Sequence, residues 1–202
     1  MRTHKIIRNK LNRVRHKLKF PVDASVLSRT LNEEFRAMKV RFKISSSWHY
    51  SLEGYYTAYR ETIDEPIYTV NISFDPFEYD DHIVEGRFLN NTGFFNEIYY
   101  TLVHEFRHGY QSRKRNYKYL KPSKRYLHGS FHYYSCYDEL DAYAYEAADA
   151  IKTEPSESFM KTLKVNWIVR RYKQICKKEA PKVYNKLLKK IYVNVFNDSS
   201  HK

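Results

Sequence analysis

A chain of 202 residues can bury one substantial core without cross-links, and its two cysteines, Cys136 and Cys176, fit neither a disulfide framework nor a structural zinc pattern. No run approaches the ~18 apolar residues of a membrane span and no apolar stretch follows the basic start, so a soluble, reduced, cytoplasmic protein is expected. The net charge of +13 is terminal: residues 1–19 hold eight Lys/Arg and no acid, residues 159–202 hold twelve against two acids, and the middle is slightly acidic.

Such a field attracts polyanions or acidic proteins, although no nucleic-acid-binding motif accompanies it. Residues 1–20 place Ile6 or Ile7, Leu11, Val14 and Leu18 at helical spacing among basic residues, which predicts a basic amphipathic helix docked on its own domain. A second helix is expected to start at a capping Asp23 and to carry Val26/Leu27, Leu31, Phe35 and Met38 on one face. The period then changes. "VRFKI", "YYTAYR" and "PIYTVNISF" read as three strands of an antiparallel-type sheet, separated by polar and Pro-containing turns.

After Asn91-Thr92-Gly93 a helical run resumes, with Ile98, Leu102 and Phe106 on one face and His104 and His108 on another. A basic, aromatic connection follows. Ser135 then opens a further helix with Asp138 three residues on, and Leu140, Ala144, Ala147 or Ala148 and Ile151 form its core stripe. Residues 158–178 and 180–196 read as two more helices, the second with Pro181 in its first turn.

The chemistry sits in "HEFRH". Positions i and i+4 lie one turn apart on one helix face, so the imidazoles of His104 and His108 can reach a single ion. Glu105 points about 100° away, placed to contact water on that ion without ligating it. With nine His and fourteen Glu in the chain, the pattern H-E-x-x-H is expected by accident about 0.03 times. A catalytic zinc site takes three protein ligands and an open fourth position. Lys114 stands where the elongated zincin pattern needs a histidine, which excludes that class. A glutamate on a following helix is the other common solution. Glu139, at the start of the next predicted helix, is the first candidate, with His132, His128 and Asp138 as alternatives.

"HEFRHGYQ" followed about thirty residues later by "ELDAYAYEA" resembles the small gluzincin-type metallopeptidases, the IrrE/ImmA-like group and its phage-encoded relatives. The resemblance covers about 130 residues and implies an α+β, zincin-like fold: an amino-terminal helix, the sheet, the H-E-x-x-H helix and a glutamate-bearing helix. With the flanking residues the chain reads as a basic amphipathic segment over 1–20, a metallopeptidase domain over 21–155 and a basic carboxy-terminal helical extension over 156–202 packed on the same domain. The resemblance also implies that zinc is held by His104, His108 and Glu139. Leu140 stands where the family has alanine, and the gap before Glu139 is somewhat long. In that family extended substrate adds to the last strand before the metal helix, here "IYTVNISFDP".

The expected function is therefore a zinc-dependent endopeptidase, possessing a metal-activated water and Glu105 as general base. Tyr143, His132, Tyr110 and His128 are candidates for stabilising the transition state, and Asp141 for orienting a ligating imidazole. Protein or peptide substrate is expected, acidic or nucleic-acid-bound, with nucleic acid a further partner of the basic termini and of the 110–134 loop. An intracellular enzyme, phage or virus encoded, fits this pattern. Two other readings compete: a nucleic-acid-associated binding protein with a structural or degenerate metal site, and a zinc amidohydrolase on a non-peptide or cell-wall amide.

Overall fold

A computed structural model describes residues 2–19, 22–46, 51–57, 67–74, 83–84, 92–115, 131–153, 158–176 and 180–196. The fold is α+β, with eight α-helices among the described residues. None of these helices is long and apolar enough to cross a membrane. Two compact units divide the chain between Gly109 and Tyr110.

The amino-terminal unit opens with α1 (Arg2–Lys17), whose Ile7, Leu11 and Val14 are fully or nearly fully buried at helical spacing, with Leu18 just beyond. Burial of that stripe drives docking, because the remaining faces are charged. Three of those charges converge on Glu34: Arg13 Nη2 at 2.7 Å, Lys17 Nζ at 3.1 Å and Lys10 Nζ at 3.4 Å. The Arg13 bond, with help from Lys17 and Lys10 and against the upward push of burial, holds the Glu34 pKa down at about 2.

Helix α2 (Ala24–Phe35) starts where the sequence predicts. Asp23 caps it by accepting a 2.6 Å bond from Ser25 N, and Leu27, Leu31 and Phe35 form its buried face. A 3-10 turn (Arg36–Met38) follows, and Lys39 turns the chain with a left-handed φ of 56° into the first long strand. Asn32 of α2 then behaves as a short strand: its Oδ1 accepts from Phe42 N at 2.8 Å and its Nδ2 donates to Phe42 O at 2.9 Å. That pairing covers one sheet edge.

The strands are β1 (Val22–Asp23), β2 (Val40–Ser46), β3 (Ser51–Tyr56), β4 (Tyr68–Phe74) and β5 (Ile83–Val84). Their sheet order, β2-β4-β3, corrects the antiparallel expectation: β4 pairs parallel to β2 and antiparallel to β3, so the sheet is mixed. In "IYTVNISFDP", to which the resemblance assigns substrate pairing, β4 is the central strand, with Tyr68, Val70 and Ile72 buried, and among the described residues β3 is an edge. The strand expected over "YYTAYR" lies earlier, because β3 ends at Tyr56; residues 58–60 fall outside the described ones. A two-residue antiparallel pairing of β1 with β5 was too short to be read from periodicity.

Helix α3 (Thr92–Lys114) runs through the division between the units. In the amino-terminal unit it buries Phe94, Ile98, Leu102 and Val103. Phe106 is half-buried and stacks on Tyr68, ring centroids 4.2 Å apart. Gly109 lets the helix come this close: a Cβ there would overlap the Tyr68 hydroxyl and lie 3.1 Å from Cζ. Gly109→Ala is therefore expected to lower stability by about 1–2 kcal/mol, overpacking outweighing the helix propensity gained. Adding Tyr68→Phe should return part of the loss in thermal unfolding. A single variant as stable as the parent would contradict this packing.

The carboxy-terminal unit contains α4 (Phe131–Ser135), α5 (Tyr137–Thr153), α6 (Phe159–Val165), α7 (Trp167–Cys176) and α8 (Pro181–Phe196). The predicted stripe of α5 is buried as Leu140, Ala144, Ala147, Ala148 and Ile151, packed with Ile168, Val169, Tyr172, Leu187 and Ile191. Ser135 ends α4, and α5 begins two residues later at Tyr137, with Leu140 N bonding Cys136 O at 2.9 Å. The single helix expected over 158–178 is broken at Asn166, whose ψ of 128° is extended and whose Oδ1 accepts from Ile168 N and Val169 N.

Candidate metal centre

The candidate residues lie on two helices, His104, Glu105 and His108 on α3 in the amino-terminal unit and Glu139 on α5 in the carboxy-terminal unit. In the amino-terminal unit, residues 101, 105 and 109 form one stripe of α3 and residues 104 and 108 form the next. His104 and Glu105 are both 7% exposed, so neither is an ordinary surface side chain. The Nε2 atoms of His104 and His108 face each other at 3.1 Å, with ring planes 74° apart. Glu105 lies against the edge strand, where Gly54 of β3 backs its Cγ and Oε1. Nearby on β3, Tyr55 donates to the Glu53 carboxylate, and its pKa is pushed up to about 12, first by that bond, then by burial and the charges of Glu53 and Glu105.

The carboxy-terminal unit carries its acidic residues at the start of α5. The stripe of α3 that carries the two histidines continues as Gln111 and Arg115, within this unit. Gln111 Nε2 donates to Asp141 Oδ2 at 3.0 Å and to Asp138 O at 3.1 Å. Arg115 forks onto both carboxylate oxygens of Asp138, one bond measuring 2.6 Å. Asp138, an alternative third ligand by sequence, is therefore engaged by a guanidinium. Asp141 is buried and its other oxygen accepts Lys190 Nζ at 2.5 Å from α8. Two donors fix that carboxylate.

Glu139 lies between these two anchored residues. Tyr133 of α4 donates to its carboxylate and also bonds Tyr143. Burial first, and then the Glu139 charge, raise the Tyr133 pKa far above the ordinary phenol range. Tyr143 sits in an aromatic cluster with Tyr133, Tyr134, Tyr172 and Trp167, at ring separations of 5.6 to 6.4 Å. Burial raises its pKa as well, so its hydroxyl stays protonated at neutral pH. Tyr110 is exposed, near Lys114.

His128 lies outside the described residues, as does the 116–130 part of the basic connection, and the side chain of His132 is likewise outside them. Sequence reasoning missed Tyr133 and Gly54. Neither shares a helical period with the residue it serves: Gly54 meets Glu105 from β3, and Tyr133 meets Glu139 from α4. Comparison with known proteins returns no matching family model, no matching curated protein and no matching solved structure.

Proposed function

We propose that this chain is a zinc-dependent endopeptidase of zincin-like architecture, similar to the small gluzincin-type enzymes, with His104, His108 and Glu139 as the group that could hold the metal. The imidazole pair carries the reading. Two nitrogens bound to one tetrahedral ion at ~2.0–2.1 Å lie roughly 3.3 Å apart, so a pair already at 3.1 Å needs only a slight opening. Two imidazoles and one carboxylate are also a donor set that suits an open, catalytic zinc site. Support for Glu139 comes from its own unit, where Gln111 and Arg115 hold Asp138 and Asp141 on either side of it in the chain.

When bound, zinc supplies a Lewis acid that lowers the pKa of water towards ~7 and polarises the scissile carbonyl. Glu105 takes the proton of the attacking water and delivers it to the departing amine, so the new C–O bond and the broken C–N bond balance. Tyr133 orients the Glu139 carboxylate, and Gln111 and Lys190 keep Asp141 fixed beside it in the chain. Tyr143 or His132 donates to the oxyanion. An extended protein segment adds to β3, the edge strand backing Glu105, and not to β4.

The substrate is a protein, acidic or nucleic-acid-bound, drawn by the basic ends of the chain. The proposed setting is the inside of a cell, including one infected by a phage or virus that encodes the protein, where two cysteines so far apart in the chain need form no disulfide framework. Chelation is expected to reduce cleavage of an unfolded protein substrate to background, and one equivalent of zinc to restore it. Cleavage that survives complete metal removal would refute the assignment.

A further inference from the structure

Gly54 occupies the interior of an edge strand, in register with Val70 of β4. Glycine weakens such a position, since it contributes no side chain to pack. Its backbone does not require glycine, because its φ lies outside the left-handed region. What it provides is space. A Cβ at Gly54 would lie 2.6 Å from Glu105 Cγ, 2.9 Å from Glu105 Oε1 and 2.6 Å from Thr101 Cγ2. The carboxylate arm of Glu105 therefore rests on bare strand backbone, while Thr101, one turn earlier on the same stripe of α3, rests beside it.

We infer that Gly54 is a positioning residue for Glu105, setting the depth and direction of its carboxylate; the catalytic part of this inference rests on the function proposed above. Two features separate this role from plain close packing. The contact includes the reactive oxygen Oε1 as well as the hydrocarbon stem. His104 and His108 occupy the adjacent stripe, and the three atoms nearest that Cβ belong to Glu105 and Thr101, so enlarging residue 54 acts first on the proton acceptor. Displacing a catalytic group by about 1 Å can cost ~10²-fold in rate while leaving binding alone.

The test uses the full chain. Gly54→Ala should retain the parent zinc content, lose roughly 10²-fold in kcat and change KM little. Adding Thr101→Ser removes only the Cγ2 overlap, so thermal stability should recover in part while kcat stays low. A cycle of Gly54→Ala and Glu105→Ala in thermal unfolding, read without any substrate, should be non-additive, because Glu105→Ala removes both overlapping atoms. Additive melting shifts, or Gly54→Ala turning over at the parent kcat, would overturn the inference. Should the parent chain bind no zinc and cleave nothing, the enzyme reading fails, yet the melting cycle still decides whether Gly54 positions Glu105.

Discussion

Glu105→Gln is expected to retain one zinc ion per chain while kcat falls by about 10³-fold, within the 10²–10⁴ range that general acid–base catalysis supplies. The substitution keeps the length and stem of the side chain, so the contacts at Gly54 and Thr101 survive. It removes only the capacity to accept and return a proton. Because Glu105 is buried and lies on a different stripe from His104 and His108, the imidazole pair should be undisturbed. Metal content measured beside single-turnover cleavage separates the two effects. Full activity in the glutamine variant would remove Glu105 from the mechanism.

Loss of a ligand should give the complementary pattern. His104→Ala and Glu139→Ala are each expected to weaken zinc binding by more than ~100-fold, the upper range for changes that merely disturb a ligand's orientation. Tyr133→Phe, which removes only the hydroxyl that donates to Glu139, should fall within that ~10–100-fold range. His132→Ala should leave affinity near that of the parent. If His132→Ala releases zinc and Glu139→Ala does not, the third ligand is the histidine. Competition against a chromophoric chelator measures all four variants on one scale.

Much of this arrangement could be read from residue order because it depends on helical period. The stripe of α1, the Asp23 cap, the buried face of α5 and the separation of Leu102 from His104 all follow from spacing along one helix. Strand direction does not. "VRFKI" alternates identically whether its partner runs parallel or antiparallel, so the β2–β4 pairing was hidden. The break at Asn166 escaped notice because Leu163, Ile168 and Tyr172 sustain an apolar rhythm across it.

The same distinction divides the candidate site. His104, Glu105 and His108 were legible because one helix positions all three. Glu139 was a candidate by type and by its place at the start of a following helix, whereas Tyr133, which donates to it, carried no such signal. Tyr133 is six residues upstream, inside α4, and only the folded turn at Cys136 brings its hydroxyl to the carboxylate. Asp141 read as an orienting group; the structure adds Gln111 and a lysine from α8 as the groups that hold it.

Zinc K-edge X-ray absorption on the purified parent chain tests the central claim most directly. Two imidazoles with a carboxylate predict a shell of nitrogen and oxygen alone at about 2.0–2.2 Å, with the multiple scattering of two histidine rings. Sulfur scattering at about 2.3 Å, a third imidazole, or failure to retain zinc at all would contradict it.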